Sequence, residues 1–167
     1  MNSSTGNVST RARHADPDHG RAGATRPRAP AALSGEDLIL KDLPEFDLTQ
    51  SDSESQIVAA RPSVILHVGA YTNVDGAERE PDRALAVNAQ GTTFVARAAA
   101  TLNARLIYLS TDYVFDGTKS IPYREEDVPH PINVYGQSKL EGGNRRIDWL
   151  SQHVGGSNGL ALWTCRK

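Results

Sequence analysis

Ser63-Val64-Ile65-Leu66-His67-Val68-Gly69-Ala70-Tyr71-Thr72 and Arg105-Leu106-Ile107-Tyr108-Leu109-Ser110-Thr111-Asp112 decide the fold of this 167-residue chain. Each begins with a short, β-branched, nearly continuous apolar run, the pattern of a strand covered on both faces, and each ends abruptly in small or polar residues. Between them, from Pro81 to about Leu102, Leu85, Asn88, Thr92, Val95, Ala99 and Leu102 keep a three-four rhythm that predicts a long helix, with Asn88 its one odd polar member. Upstream, Leu38-Ile39-Leu40 reads as a further short apolar strand. Ser53-Glu54-Ser55-Gln56 has the capping-box pattern that opens a helix through about Ala60, which Arg61-Pro62 ends. A polar loop with Gly117, Pro122, Pro129 and Pro131 follows the second strand, and a last helix starts near Tyr135. Strand and helix alternate, so the expected architecture is a parallel sheet wrapped by helices.

The flanks read differently. Residues 1–33 are rich in Arg, Ala, Gly, Pro, Ser and Thr, with one Val, one Leu and no apolar period; they are expected to form a disordered tail because they cannot repay the entropy of ordering. Residues 36–150 form the globular part and 151–167 an irregular C-terminal tail. The tail's five arginines face only Asp16 and Asp18, while the rest of the chain is acidic and the total is −2. That balance gives no ground for nucleic-acid binding. No apolar run reaches the ~20 residues that cross a bilayer, and no secretory leader is evident. The expectation is a soluble, cytoplasmic protein. The lone Cys165 rules out an internal disulfide, which suits a reducing compartment.

In open parallel sheets ligands sit beyond the carboxyl ends of the strands. Gly69-Ala70-Tyr71-Thr72 and Ser110-Thr111-Asp112 both leave from such ends. Downstream, Tyr135 and Lys139 stand four apart in Val134-Tyr135-Gly136-Gln137-Ser138-Lys139, which places them on one helix face. There an ammonium can lower the pKa of a phenol from near 10 and make it a proton donor for carbonyl reduction. A chance Tyr-x-x-x-Lys is expected in roughly one such chain in eight, so its surroundings carry the reading.

Those surroundings resemble a known family. Phe46-Asp47-Leu48-Thr49, Gly69-Ala70-Tyr71-Thr72-Asn73-Val74-Asp75-Gly76-Ala77-Glu78, Ser110-Thr111-Asp112-Tyr113-Val114-Phe115-Asp116-Gly117 and Asn133-Val134-Tyr135-Gly136-Gln137-Ser138-Lys139-Leu140 are similar, in order and spacing, to the dTDP-4-dehydrorhamnose reductases among the extended short-chain dehydrogenase/reductases. The likeness covers residues 36 to 148. It implies a Rossmann-like fold and hydride transfer from NADPH or NADH to the C4 carbonyl of a nucleotide-sugar, dTDP-4-dehydro-L-rhamnose, with Mg²⁺ assisting in some members. Carried over, it implies that Tyr135 donates the proton. Lys139 holds the nicotinamide ribose and lowers the phenol pKa, and Thr111 donates a hydrogen bond to the reacting oxygen. Asp112 meets substrate, Asp47 and Leu48 meet the adenine end, and Ala70, Tyr71 and Thr72 line the cofactor's ribose and phosphates. Asn88 matches an asparagine that orders the proton-relay helix. A sister branch, the regulatory β subunit of methionine adenosyltransferase, has a stretch like Pro122-Tyr123-Arg124-Glu125-Glu126-Asp127 and offers a non-catalytic alternative.

The same residues have plainer readings. Tyr135 can be an amphipathic aromatic at a helix start, Ser110 and Thr111 caps of a turn, Asp47 a turn acid and His67 a packed core histidine. Asp75, Glu78 and Glu80 with Arg79 read as a solvated face, and Glu125, Glu126 and Asp127 as loop surface or, less directly, a Mg²⁺ site. The family's opening strand, glycine-rich turn and helix, which cradle the cofactor pyrophosphate, are not recognisable; Gly20-Arg21-Ala22-Gly23 has no apolar run before it. Adjacent Gly142 and Gly143, the latter where the family keeps Glu, are expected to fray the last helix. The chain thus reads as the middle of a reductase with a parallel sheet lacking its first strand and glycine-rich loop, a poor dinucleotide binder on its own, paired with a second copy or a full-length homologue.

Overall fold

The computed structural model describes residues 7–11, 38–153 and 159–162, with side chains from 38 to 146. Five strands form one parallel sheet: β1 (Asn7–Arg11), β2 (Leu38–Asp42), β3 (Val64–His67), β4 (Arg105–Leu109) and β5 (Gly159–Leu162), in the spatial order β2-β1-β3-β4-β5. Val64 pairs with Arg105 and His67 with Tyr108, so the two strands that end at Gly69 and Ser110 lie side by side in register. Chain order reverses at β1, which has β2 on one flank and β3 on the other. Such a reversal opens a crevice beyond the strands' carboxyl ends.

β1 and β5 fall in the two segments expected to be irregular, and both expectations are corrected. Asn7-Val8-Ser9-Thr10-Arg11 has too few apolar residues to announce a strand, yet it pairs along both edges, with Leu38–Asp42 and with Ile65–His67. A central strand is held by backbone hydrogen bonds on each flank, and a sequence pattern of buried side chains is not needed to supply them. Gly159-Leu160-Ala161-Leu162 pairs with Leu106–Leu109 in the same way, after a glycine-rich approach that hides it. The rest of residues 1–33, including Gly20-Arg21-Ala22-Gly23, lies outside the described residues.

The expected helices follow in order, with one helix added and one changed in geometry. α1 (Ser53–Ala60) ends with Arg61 in a left-handed conformation, φ 49°, before Pro62. α2 (Val74–Arg79) was not foreseen; Asn73 caps it by accepting from the Gly76 amide at 2.8 Å. The long helix from Pro81 is three pieces: α3 (Pro81–Leu85), a widened π turn over Ala86–Gln90, and α4 (Gly91–Leu102). Its rhythm holds where the core needs it, since Val95, Ala96, Ala98 and Ala99 pack with Phe46, Leu48, Ile57, Ile65 and Leu106. The π turn adds a residue to the helix and turns Asn88 fully inward.

α5 (Val134–His153) runs unbroken through Gly142 and Gly143, against the expected fraying. Gly142 is there for proximity: a Cβ at this position would lie 2.1 Å from the Asn88 carbonyl oxygen and 3.1 Å from the Tyr108 hydroxyl. Close seating on the π turn and on β4 replaces the helix propensity that glycine forfeits. The inward stripe of α5 is Tyr135, Ser138, Lys139, Gly142 and Arg146, nearly devoid of apolar side chains. A helix that buries polar groups toward a sheet's carboxyl edge is built for something other than packing.

Candidate active site

The loop leaving β4 carries Thr111, extended at φ −145° and ψ 154°, and Tyr135 stands in the first turn of α5. The Thr111 hydroxyl accepts from the Tyr113 amide at 3.3 Å, lies 3.1 Å from an Asp112 carboxylate oxygen and is near enough to the Tyr135 phenol to act on its pKa. Both hydroxyl groups are largely buried, while Asp112 and Tyr113 are exposed at the rim. Tyr113 meets the Tyr135 ring edge-on with centroids 5.5 Å apart. The start of α5 is held by two side chains: Asn133 accepts from the Gly136 amide at 2.7 Å, and Glu78 of α2 accepts from the Val134 amide at 2.8 Å. Glu78, read from sequence as solvated surface, therefore ties α2 to the helix that carries Tyr135.

Lys139 lies one turn below Tyr135 and is 3% exposed. Its Nζ donates to the Leu109 carbonyl oxygen at 2.7 Å and stands 4.2 Å from the centre of the Tyr108 ring. Burial lowers its pKa to about 7. The phenol of Tyr135 is raised, not lowered as the helix spacing predicts: burial is the main cause, the nearby Asp112 carboxylate and Tyr113 add to it, and the Thr111 hydrogen bond opposes it. The difference is one of direction. The ammonium is sunk toward β4, where a carbonyl and an aromatic face receive it, and the phenol looks outward to the acidic rim.

Asn88 connects the second loop to this helix. Its Oδ1 accepts from the Tyr71 amide at 2.8 Å, and its Nδ2 donates to the Tyr71 carbonyl at 3.1 Å and to Ser138 Oγ at 2.8 Å. The widened turn leaves the Asn88 carbonyl to accept from Thr92 Oγ1 at 2.6 Å. Because that proton is committed, Thr92 Oγ1 accepts from His67 Nε2 at 3.0 Å, which fixes His67 as the neutral Nε2–H tautomer. Burial, then the Lys139 charge, lower the His67 pKa to about 3. His67 is thus a core histidine with a structural bond, as its place in an apolar strand suggests.

Ala70 and Tyr71 are buried where β3 ends, and Thr72 is exposed beside them. The Tyr71 hydroxyl donates to Glu80 at 3.2 Å, and burial followed by that bond raises its pKa. Asp47 closes its own turn, accepting from the Thr49 amide and hydroxyl at 2.8 Å each; burial opposes, but these bonds prevail and its pKa is lowered. Leu48 is core, with the start of α4 so close that a Cβ on Gly91 would lie 2.9 Å from the Leu48 Cβ. Arg83, which no motif singled out, spans these two loops: its charge acts on Asp47, and its guanidinium sits 5.8 Å from the Tyr71 ring centre.

Beyond Thr111 the loop forms a shallow, open pocket of about 210 Å³ lined by Asp112, Tyr113, Phe115, Asp116, Gly117, Ile132 and Asn133. Asp116 shapes it, accepting from the Thr118 amide and from the Thr118 and Tyr123 hydroxyls, bonds that hold its pKa far below the usual carboxylate range. Phe115 stacks on Tyr123 at 4.1 Å, and Asp127 pairs with Lys119. Those bonds give part of the acidic run a local structural role. Among the described residues, no group of three His, Cys, Asp or Glu could hold a metal ion, and no helix is long and apolar enough to cross a membrane.

Known proteins resemble this chain in sequence and fold. The RmlD substrate binding domain model matches residues 21–152. A dTDP-4-dehydrorhamnose reductase of Sinorhizobium fredii is 55% identical over 107 residues, 64% of this chain and 36% of that protein. The methionine adenosyltransferase 2 subunit beta of Bos taurus is 50% identical over 82 residues, 49% of this chain and 24% of that protein. A crystal structure of dTDP-4-dehydrorhamnose reductase from Bacillus anthracis in complex with NADP superposes with a TM-score of 0.68 and 36% identity, over 77% of this chain and 44% of that one. The chain spans about a third of the length of the curated relatives it matches. With its parallel sheet, its paired strand-end loops and most of its length inside the match, the chain belongs to the RmlD substrate binding domain family.

Proposed function

We propose that this chain carries the carbonyl-reducing site of a dTDP-4-dehydrorhamnose reductase, acting on the C4 keto group of dTDP-4-dehydro-L-rhamnose with NADPH or NADH. The observation that carries the reading is that the largely buried Tyr135 and Thr111 side chains come together at the strand ends, with the buried Lys139 ammonium one turn beneath. A reduced nicotinamide, if held there by Lys139 and the strand-end loops, would supply the hydride for the carbonyl carbon. Tyr135 gives its proton to the carbonyl oxygen, and its raised pKa keeps the phenol protonated until that oxygen turns basic. The Thr111 hydroxyl donates a second hydrogen bond to the developing charge. Donor chemistry fits the nicotinamide end of a dinucleotide, since one of the three Lys139 N–H bonds goes to Leu109 and two remain for ribose hydroxyls. Thr72 is exposed beside the buried Tyr71, whose ring has the Arg83 guanidinium 5.8 Å from its centre.

The test is NADPH oxidation by the purified chain with dTDP-4-dehydro-L-rhamnose, with and without Mg²⁺. Slow, sugar-dependent turnover that Tyr135→Phe abolishes is expected. A Tyr135→Phe variant as fast as the parent, or no turnover at high protein concentration, overturns the assignment. The identity to the methionine adenosyltransferase 2 subunit beta favours one second reading, a regulatory binding protein. It predicts altered substrate kinetics of methionine adenosyltransferase that survive Tyr135→Phe.

A further inference from the structure

Lys139 is touched twice by one residue. The Tyr108 hydroxyl donates to the Lys139 backbone carbonyl at 3.0 Å, and the face of the same ring lies 4.2 Å from the Lys139 ammonium. Tyr108 is itself fixed from behind, 1% exposed, with the His67 ring tilted at 44° against it at 5.5 Å. It is adjacent in β4 to Leu109, whose carbonyl takes the ammonium's hydrogen bond. One strand therefore presents a carbonyl and a π face together, the two groups that can favour an ammonium without a carboxylate.

We propose that Tyr108 is the positioning residue of Lys139: its hydroxyl fixes the helix turn and its ring face keeps the ammonium charged at the tip of β4. The inference rests on the reading that Lys139 serves carbonyl reduction, but it concerns the state of that lysine and can be measured without turnover. Strength at the ring face matters because burial already draws the lysine's titration down to about 7, where a small change in stabilisation alters its charge. Other titratable or charged groups facing this pair, among the described residues, are His67 from β3 and Tyr135 and Arg146 from α5. The first is neutral, with its pKa near 3, and Arg146 acts on the Tyr108 hydroxyl. None is an anion at neutral pH. Among the described residues, the Leu109 carbonyl alone shares the role with the ring.

The chain has four lysines, so ¹³Cε signals of labelled lysine resolve each titration, and Lys139→Arg assigns the one in question. Tyr108→Phe keeps the ring and loses the hydroxyl. Pentafluorophenylalanine at position 108 keeps the shape and removes the negative face. The expected result is a Lys139 midpoint within a few tenths of a unit of the parent for Tyr108→Phe, and about one unit lower for the fluorinated ring. Tyr108→Phe should also speed amide hydrogen exchange in the α5 turn after Lys139. Equal midpoints for the two rings overturn the ring's role, and unchanged exchange overturns that of the hydroxyl. Should Lys139 respond as expected while the parent shows no reductase turnover, the reductase reading fails and this one stands.

Discussion

Two neighbouring glycines on α5 ought to answer oppositely to the same substitution. Gly142→Ala and Gly143→Ala each gain about 1 kcal/mol of helix propensity in an unobstructed helix. At Gly143 nothing stands in the way, since the new Cβ would meet only Tyr108 Cε1 at 3.8 Å, an ordinary contact. Gly143→Ala is expected to stabilise the chain by about 0.5–1 kcal/mol. At Gly142 the Cβ would lie 2.1 Å from the Asn88 carbonyl oxygen, so α5 must retreat from the π turn by roughly 1 Å. Overpacking of this kind costs about 1–3 kcal/mol, and against backbone the upper half of that range applies. After the propensity gain, Gly142→Ala is expected to lose about 1–2 kcal/mol, leaving the two variants about 1.5–3 kcal/mol apart. Urea unfolding followed by far-ultraviolet circular dichroism measures both. If Gly142→Ala proves as stable as Gly143→Ala, α5 is not seated on Asn88 and the placement of Tyr135 and Lys139 over the strand ends fails with it.

Glu78→Ala removes the carboxylate that accepts from the Val134 amide; a loss of about 0.5–2 kcal/mol is expected in urea unfolding, with Glu78→Gln intermediate, and an unchanged midpoint would refute the tie between α2 and α5. Arg146 is 4% exposed, its Nε and Nη1 have no hydrogen-bond partner among the described residues, and burial lowers its pKa; Arg146→Met is expected to stabilise the chain by about 1–3 kcal/mol, and a loss of stability would show that the guanidinium has a use. Stability should rise with pH in two steps. The unfolded chain holds more protons than the folded one between about 3 and the ordinary 6.5 of histidine because of His67, and between about 7 and the ordinary 10.5 of lysine because of Lys139. Above pH 10 the raised tyrosines reverse the sign, because the folded state then retains protons the unfolded state has lost. Urea midpoints across this range check the shape; Lys139→Met should remove the upper rise and, by taking its charge away from His67, narrow the lower one, and a parent flat between pH 7 and 10 would contradict the burial of a titrating lysine.

How much of this was legible follows from where each element gets its support. β3, β4 and the α4 rhythm carry their own apolar residues, so periodicity finds them: Ile65, Val95, Ala99 and Leu106 are all core. β1 takes its support from two neighbouring backbones, and nothing in Asn7-Val8-Ser9-Thr10-Arg11 records them. The π turn is likewise a backbone event; its only trace was the odd Asn88 in an apolar rhythm, and the meaning of that oddity depended on Tyr71 and Ser138, 17 and 50 residues away. Glu78 and Val134 are 56 apart, so a carboxylate that looked solvated on α2 turns out to be a cap for α5. Spacing placed Tyr135 and Lys139 on one face. It could not say that the ammonium would turn to β4 and the phenol to Thr111, because that choice is made by Tyr108, Leu109 and Asp112.

The buried polar side chains share one economy of design. Asn88, Ser138, His67, Thr92 and Tyr108 are each almost fully buried, and every one is bonded to a backbone group or to another of the set. Buried polar groups of this number destabilise a core unless their bonding is complete, so their gathering between the π turn, β3, β4 and α5 is not explained by packing. Their bonds end on the Tyr71 backbone on one side and on the Tyr135 and Lys139 carbonyls on the other. The network thereby fixes the loop after β3 relative to the first two turns of α5, the same two elements that face each other across the strand ends. Rigidity between those elements is what a site needs if a proton donor and a ring of carbonyl-reducing cofactor are to meet a substrate within a fraction of an ångström. A fold that needed only stability could have placed leucine and alanine at all five positions.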